Sequence, residues 1–241
     1  MFRTIAWYTH FVISLIMQTP RLHKANSLEK QGKLKEKEIY SNEVTSKWAM
    51  SQVKLSGARV KVEGLENIPK DRAVLFVSNH QSNFDIALLM SFIDKPKGYI
   101  SKIEMAKLPL LRSWMKNINC VFMDRSSLKK SAEAIIEGVK VLKEGHSLVI
   151  FPEGTRSKGN TMGEFKGGSF KLATKAKVPI IPVTINGSYK LMEANNNKIK
   201  PADVTVYVHP PVETSNLSKE ELLELPDKVK DIIGTKLSNE G

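Results

Sequence analysis

An α/β fold with a single mainly parallel sheet flanked by helices is what this sequence predicts, on three observations. Seven short runs rich in β-branched and aromatic residues recur near Val60, Val74, Tyr99, Val121, Leu148, Ile181 and Val204. Helix-like stretches separate them, the alternation that parallel strands joined by crossover helices require. Polar clusters follow directly after several of the runs, where open α/β sheets place their sites. The 241 residues suffice for one domain with a substantial core, and no internal repeat, low-complexity tract or long linker interrupts them.

Taken in chain order, the first element is the most apolar one. Phe2 to Met17 carries Phe2, Ile5, Trp7, Phe11, Val12, Ile13, Leu15 and Ile16; Arg3, Thr4, Thr9, His10 and Ser14 interrupt it and Pro20 ends it. A spanning helix needs about 20 predominantly apolar residues, so this run is too short. A secretory signal would carry a fuller basic start and a small-residue cleavage site. An interfacial or partly inserted helix fits the pattern, with an amphipathic core helix as the alternative. From Arg21 to Lys61 basic residues predominate, and Val44, Trp48 and Leu55 share one helical face, which predicts a second helix. Residues 1–57 are therefore expected to form a helical, membrane-anchoring pair, and residues 58–241 the main domain.

Three strand ends carry the chemistry. Val74 to Ser78 reads as a buried strand, His80 lies just past it, and Phe84 to Phe92 reads as helix. Four residues separate His80 from Asp85, enough for a turn to bring the carboxylate onto the ring. Asp85 can then accept from Nδ1–H and leave Nε2 to take a proton. The plainer alternative is that Asp85 only caps the helix. Cys120 to Met123 is a short strand whose end projects Arg125, unless Arg125 simply pairs with Asp124. Ser147 to Phe151 is a third strand, followed by Pro152-Glu153-Gly154-Thr155-Arg156-Ser157. That is turn chemistry with exposed N–H groups and a guanidinium fork, a combination suited to an oxyanion or phosphate. An ordinary loop with a solvated Arg156 is its alternative.

Further on, Phe165-Lys166-Gly167-Gly168-Ser169 leads into a helix expected over Ser169 to Lys175, whose N-terminus could receive an anion or be a plain helix entry. Ser218-Lys219-Glu220-Glu221 is a capping-box signature for a terminal helix that Pro226 is expected to kink or restart.

Together these blocks resemble the glycerolipid acyltransferases, most closely the bacterial 1-acyl-glycerol-3-phosphate acyltransferases. The matching motifs are His-x₄-Asp at His80 and Asp85, Phe-x-Asp-Arg at Phe122 to Arg125, Glu-Gly-Thr-Arg-Ser at Glu153 to Ser157, and Val-Pro-x-x-Pro-Val at Val178 to Val183. All four occur in family order over roughly Ala58 to Val212; Arg112 and Asn119 stand where relatives often carry Gly. The resemblance implies transfer of a fatty acyl group from a thioester to the sn-2 hydroxyl of lysophosphatidate, making phosphatidate. Within it, His80 is the base and Asp85 its partner. Arg125, Glu153, Gly154, Thr155, Arg156 and Lys102 bind substrate, with Lys107 a further candidate, and the run at Val178 is expected to border the acyl pocket. Glu153 is expected either to orient an arginine or to bind a substrate hydroxyl. The competing expectations are an acyltransferase for glycerol 3-phosphate or another lysophospholipid, or a basic lipid-binding module without turnover.

Composition narrows the partners. The net charge of +12 attracts anionic lipid, acidic protein or nucleic acid alike, but no nucleic-acid module is recognisable, so none is expected to bind. No cofactor or metal is expected: the five histidines lack ligand spacing, and the acyl donor enters as a substrate, carried by acyl carrier protein or coenzyme A. Cys120 is the single cysteine, which excludes an internal disulfide. A monotopic or peripheral place on the cytoplasmic face of the cell membrane follows from the resemblance.

Overall fold

The computed structural model describes residues 1–237. Seven strands form one sheet: β1 (Arg59–Glu63), β2 (Leu75–Ser78), β3 (Lys97–Lys102), β4 (Val121–Met123), β5 (Ser147–Ile150), β6 (Ile180–Asn186) and β7 (Asp203–Val208). Every run marked in the sequence is a strand, and the spatial order is β1-β7-β6-β2-β5-β3-β4. All pairs are parallel except β6 with β7. The central strands read as unbroken apolar runs because helices cover both faces; β2 and β5 are buried at every residue.

The eight helices among the described residues are α1 (Phe2–Met17), α2 (Thr19–Lys30), α3 (Leu34–Ser56), α4 (Phe84–Phe92), α5 (Pro109–Asn117), α6 (Leu128–Lys143), α7 (Gly167–Ala176) and α8 (Lys219–Gly234). The N-terminal helical layer is present, with a third helix, α2, between the two that the pattern predicts. Pro20 does end the first helix, but it also opens the next one. It sits in the first turn of α2, where a fixed φ and a missing N–H cost nothing. Pro226 likewise does not restart α8: the helix runs through it, started by the Ser218–Glu221 capping box and held down by Leu225, Val229 and Ile233.

The layer is welded to the sheet. Trp7 of α1 and Val53 of α3 share one apolar core with Phe76, Phe84, Leu88 and Val183. The Trp7 and Phe84 ring centroids lie 5.2 Å apart, and Trp7 Nε1–H donates to the Gln52 carbonyl at 3.0 Å. Since Phe84 opens α4, α1 packs directly on the helix that carries Asp85.

Besides burying Trp7, helix α1 leaves much of its apolar surface exposed and turns polar side chains inward. Toward α3 it directs Ser14, which accepts from Trp48 Nε1 and Gln52 Nε2 at 3.0 and 3.1 Å, and His10, bonded to Ser51 at 3.0 Å. Outward it directs Phe2, Ile5, Val12, Ile13, Ile16 and Met17, all exposed. Among the described residues no helix is long and apolar enough to cross a membrane.

Candidate active site

The topology explains why three polar blocks meet. Strands β6, β2 and β5 are adjacent and parallel, so their carboxyl ends open on one edge of the sheet beside those of β3 and β4. His80 follows β2, the Phe151–Ser157 loop follows β5, Lys102 ends β3, and Arg125 follows β4.

At the centre, His80 Nδ1 is 2.8 Å from Asp85 Oδ2. Oδ2 also accepts from the N–H groups of Gln81 and Ser82 at 2.7 and 2.8 Å, so the carboxylate fastens the loop ahead of α4 rather than capping the helix, whose N-cap is Asn83. Its Oδ1 accepts from the Ser188 hydroxyl. Asp85 is wholly buried, so these donors replace the water it gives up. An acceptor at Nδ1 puts the proton there and the lone pair on Nε2. The imidazole plane is set by Phe151, which stacks on it at 4.1 Å and 18°. His80 keeps 15% of its side chain exposed, an open edge in an otherwise closed setting.

Glu153 ties the first block to the third. It is buried, and it neither orients an arginine nor reaches into the open cleft. Oε1 accepts from His80 N–H and Oε2 from Gly163 N–H, each at 2.7 Å. Burial pushes its carboxyl above the ordinary value, against the opposing pull of those two donors. Ser157 N–H closes the same junction onto the His80 carbonyl at 2.8 Å.

Around Gly154 the cations gather. Its φ of +73° suits glycine, and a Cβ there would stand 3.0 Å from Lys166 Nζ and 3.2 Å from Arg125 Nη1. Arg125 donates to the Gly154 carbonyl. It does not pair with Asp124, which instead takes Lys130 Nζ at 2.7 Å and Ser126 N–H at 2.8 Å; these bonds hold the Asp124 carboxyl down at about 2. Gly154 N–H donates back to Phe151 O at 3.0 Å and is spent on the turn. Thr155 is exposed beside it, as is Lys102 at its strand end.

Arg156 is half-buried and held by a carboxylate rather than free in solvent. Its Nη1 donates to Glu193 Oε1 at 2.8 Å, and Glu193 also accepts from the Ser82 hydroxyl at 2.6 Å and Asn83 N–H at 3.0 Å. Glu193, Ser188 and Lys166 are the participants that sequence reading missed. Ser188 carried a usable signal, since Gly187-Ser188 is a turn after a strand. Glu193 carried none, and Lys166 stands in a block whose sequence suggests a helix entry or an anion site at the helix N-terminus, without singling out the lysine.

The Val178 run does not border an open pocket, because Ile180, Ile181 and Val183 are sealed inside the sheet core. An apolar cavity of about 40 Å³, too small for a fatty chain, lies elsewhere, lined by Leu15, Val44, Trp48, Met90, Trp114 and Met115. Asn119 has φ +57°, which explains an Asn where glycine is common, since Asn is the other residue that enters the left-handed region readily. Arg112 is exposed on α5, and nothing in the structure explains it. Among the described residues, no group of three or more His, Cys, Asp or Glu side chains is placed to share a metal ion.

Residues 59–186, slightly over half of the chain, match the family described as Acyltransferase. The chain belongs to that family. Among acyltransferase relatives, a probable 1-acyl-sn-glycerol-3-phosphate acyltransferase of Mycoplasma pneumoniae is 40% identical over 144 residues, 58% of this chain and 54% of that protein. The 1-acyl-sn-glycerol-3-phosphate acyltransferase of Borreliella burgdorferi is 32% identical over 183 residues, 76% of this chain and 73% of that one. The chain thus spans about half the length of the first relative and nearly three quarters of the second. The crystal structure of the 1-acyl-sn-glycerophosphate acyltransferase PlsC from Thermotoga maritima superposes with a TM-score of 0.80 at 29% identity, covering 97% of this chain and 94% of that one.

Proposed function

We propose that this acyltransferase moves a fatty acyl group from a thioester to the sn-2 hydroxyl of lysophosphatidate, giving phosphatidate. The observation that carries the reading is an oriented base within one loop of a cation cluster: His80 with its lone pair on Nε2, and Arg125 with Lys166 at Gly154. Binding alone has no use for such a base.

The acceptor hydroxyl gives its proton to His80 Nε2 as its oxygen attacks the thioester carbonyl. Asp85 stabilises the imidazolium that forms, and a base so placed contributes roughly 10²–10⁴-fold. The tetrahedral oxyanion collapses, expelling the thiolate, which takes the proton back. With Gly154 N–H used by the turn, the neighbouring N–H groups of Thr155 and Arg156 are the oxyanion donors. Arg125, Lys102 and Arg156 hold the phosphate, joined by Lys166. Glu153, with both oxygens engaged, acts on substrate only through the wall it holds.

Both substrates are amphiphiles or ride on acidic carriers, coenzyme A or acyl carrier protein, and a chain of charge +12 suits either. The outward apolar face of α1 enters the cytoplasmic leaflet, which supplies the lysophosphatidate. Each large side chain taken from water there contributes roughly 1.5–3 kcal/mol.

Purified protein incubated with lysophosphatidate and palmitoyl-coenzyme A tests the reading. Phosphatidate and free thiol in equal amounts, both dependent on acceptor, support it. Thiol release without phosphatidate, or no release with palmitoyl-coenzyme A and none with palmitoyl-acyl carrier protein supplied in its place, sinks it.

A further inference from the structure

We propose that Glu193 is a positioning residue for Arg156, gripping one edge of the guanidinium so that the rest of the fork faces the substrate phosphate. This rests on the phosphate-binding role given above to Arg156. Glu193 lies outside the stretch that matches the acyltransferase family, in a short 3₁₀ turn, Glu193–Asn195, beyond β6.

Three features of the site separate a clamp from a chance ion pair. The Glu193 side chain is 2% exposed against 31% for Arg156, so the acid is the fixed partner and the arginine the presented one. Its two oxygens hold three donors: Ser82 Oγ on Oε2, with Asn83 N–H and Arg156 Nη1 on Oε1. Two of those donors belong to the His80–Asp85 loop and the third to the loop after β5. One carboxylate therefore sets the distance between the base and the arginine. A guanidinium has five N–H donors, and one bond to Glu193 leaves most of the fork unspent. Holding it in one rotamer in advance removes ordering that phosphate binding would otherwise have to supply.

A mere competitor for the cation would behave oppositely: removing it would strengthen phosphate binding. The test uses the full chain with wild type, Glu193→Gln, Glu193→Ala, Arg156→Ala and the Arg156→Ala/Glu193→Ala double variant. Binding of a short-chain, soluble lysophosphatidate is read by calorimetry, and KM for acceptor and for palmitoyl-coenzyme A are read separately. Losing a charge-assisted bond of this kind should weaken acceptor binding and raise its KM about tenfold. Donor KM should not move. In the Arg156→Ala background the second substitution should add nothing to either constant, because its effect runs through the arginine.

Tighter acceptor binding in Glu193→Gln overturns the proposal, as do additive losses in the double variant. A lowered melting temperature with binding and KM intact overturns it too, since that is what packing alone would give. Wild type that binds the soluble acceptor without acylating it would defeat the proposed reaction while leaving the clamp to be judged by the binding constants.

Discussion

The base side of the cleft and its cation side are built by opposite rules. On the base side, Asp85 is sealed and holds four donors, His80 is stacked on Phe151, and Glu153 locks the loop from beneath. On the cation side, Arg125, Lys102 and Thr155 are exposed at strand ends, and only Arg156 is anchored in a carboxylate. In the proposed reaction the difference matches what each side would handle. A proton moves over tenths of an ångström and needs a fixed geometry, whereas a charged headgroup arrives from a surface and is captured by reach.

The largest effect should come from the wired side. His80→Ala is expected to lower kcat by about 10²–10⁴-fold with a melting temperature unchanged within a degree or two. Comparable loss of thermal stability would make the histidine a core residue. Next comes the approach to the open side: Ile13→Gln with Ile16→Gln removes two outward side chains worth roughly 1.5–3 kcal/mol each in a bilayer. Partitioning onto anionic vesicles should fall about 100-fold or more while the circular-dichroism melt stays put. Retained flotation would show that α1 is not the anchor.

Arg125→Ala should then raise the acceptor KM about tenfold and leave kcat within a few-fold, the signature of lost headgroup binding. A fall confined to kcat would place Arg125 with the base instead. Ser188→Ala takes one donor from buried Asp85, and a kcat decrease of about three- to tenfold is expected, against an unchanged acceptor KM. A KM change there would erase the division between the two sides.

The smallest effect sets a control for any pH profile. Burial pushes His209 down to about 4, and Lys236 adds to the shift. Its Nε2 lies 2.8 Å from Thr184 Oγ1, whose proton goes to the Ile233 carbonyl, so the histidine is neutral in the fold and donates. The unfolded chain binds more protons than the native one between about 4 and 6.5, and stability therefore falls as pH drops through that window. His209→Gln should flatten this acid limb in melts taken from pH 7 to 4. A limb of unchanged slope would assign it to another group and free the activity profile of the correction.

Much of this was readable in one dimension. The central strands showed as apolar runs because burial on both faces leaves no polar alternation, while β1 and β7 at one side of the sheet showed by alternating polar and apolar residues. His80 and Asp85 were paired correctly because a five-residue offset across a strand-to-helix turn is a local constraint. Capping boxes are local in the same way, and Ser218 with Glu221 formed as their spacing requires. Pro20 and Pro226 were harder, since a proline's effect depends on which turn of a helix it occupies and on how well the remainder is packed. Other features depended on chain neighbours that meet only after folding: Glu193 on Arg156 across 37 positions, Ser188 on Asp85 across 103, Lys166 at Gly154.

What this sequence determined by itself is therefore the alternation of strands and helices, the pairing of His80 with Asp85, the basic character of the surface and the apolar run at the N-terminus. Tertiary structure decided which cations stand near the base and which carboxylate restrains Arg156. It also decided that α1 lays its serine and histidine on α3 and its isoleucines outside. The physical reason is range: hydrophobic period and turn chemistry act over a few residues and are written in order, but hydrogen-bond partners for a buried carboxylate are whichever donors the sheet order β6-β2-β5 brings to one edge.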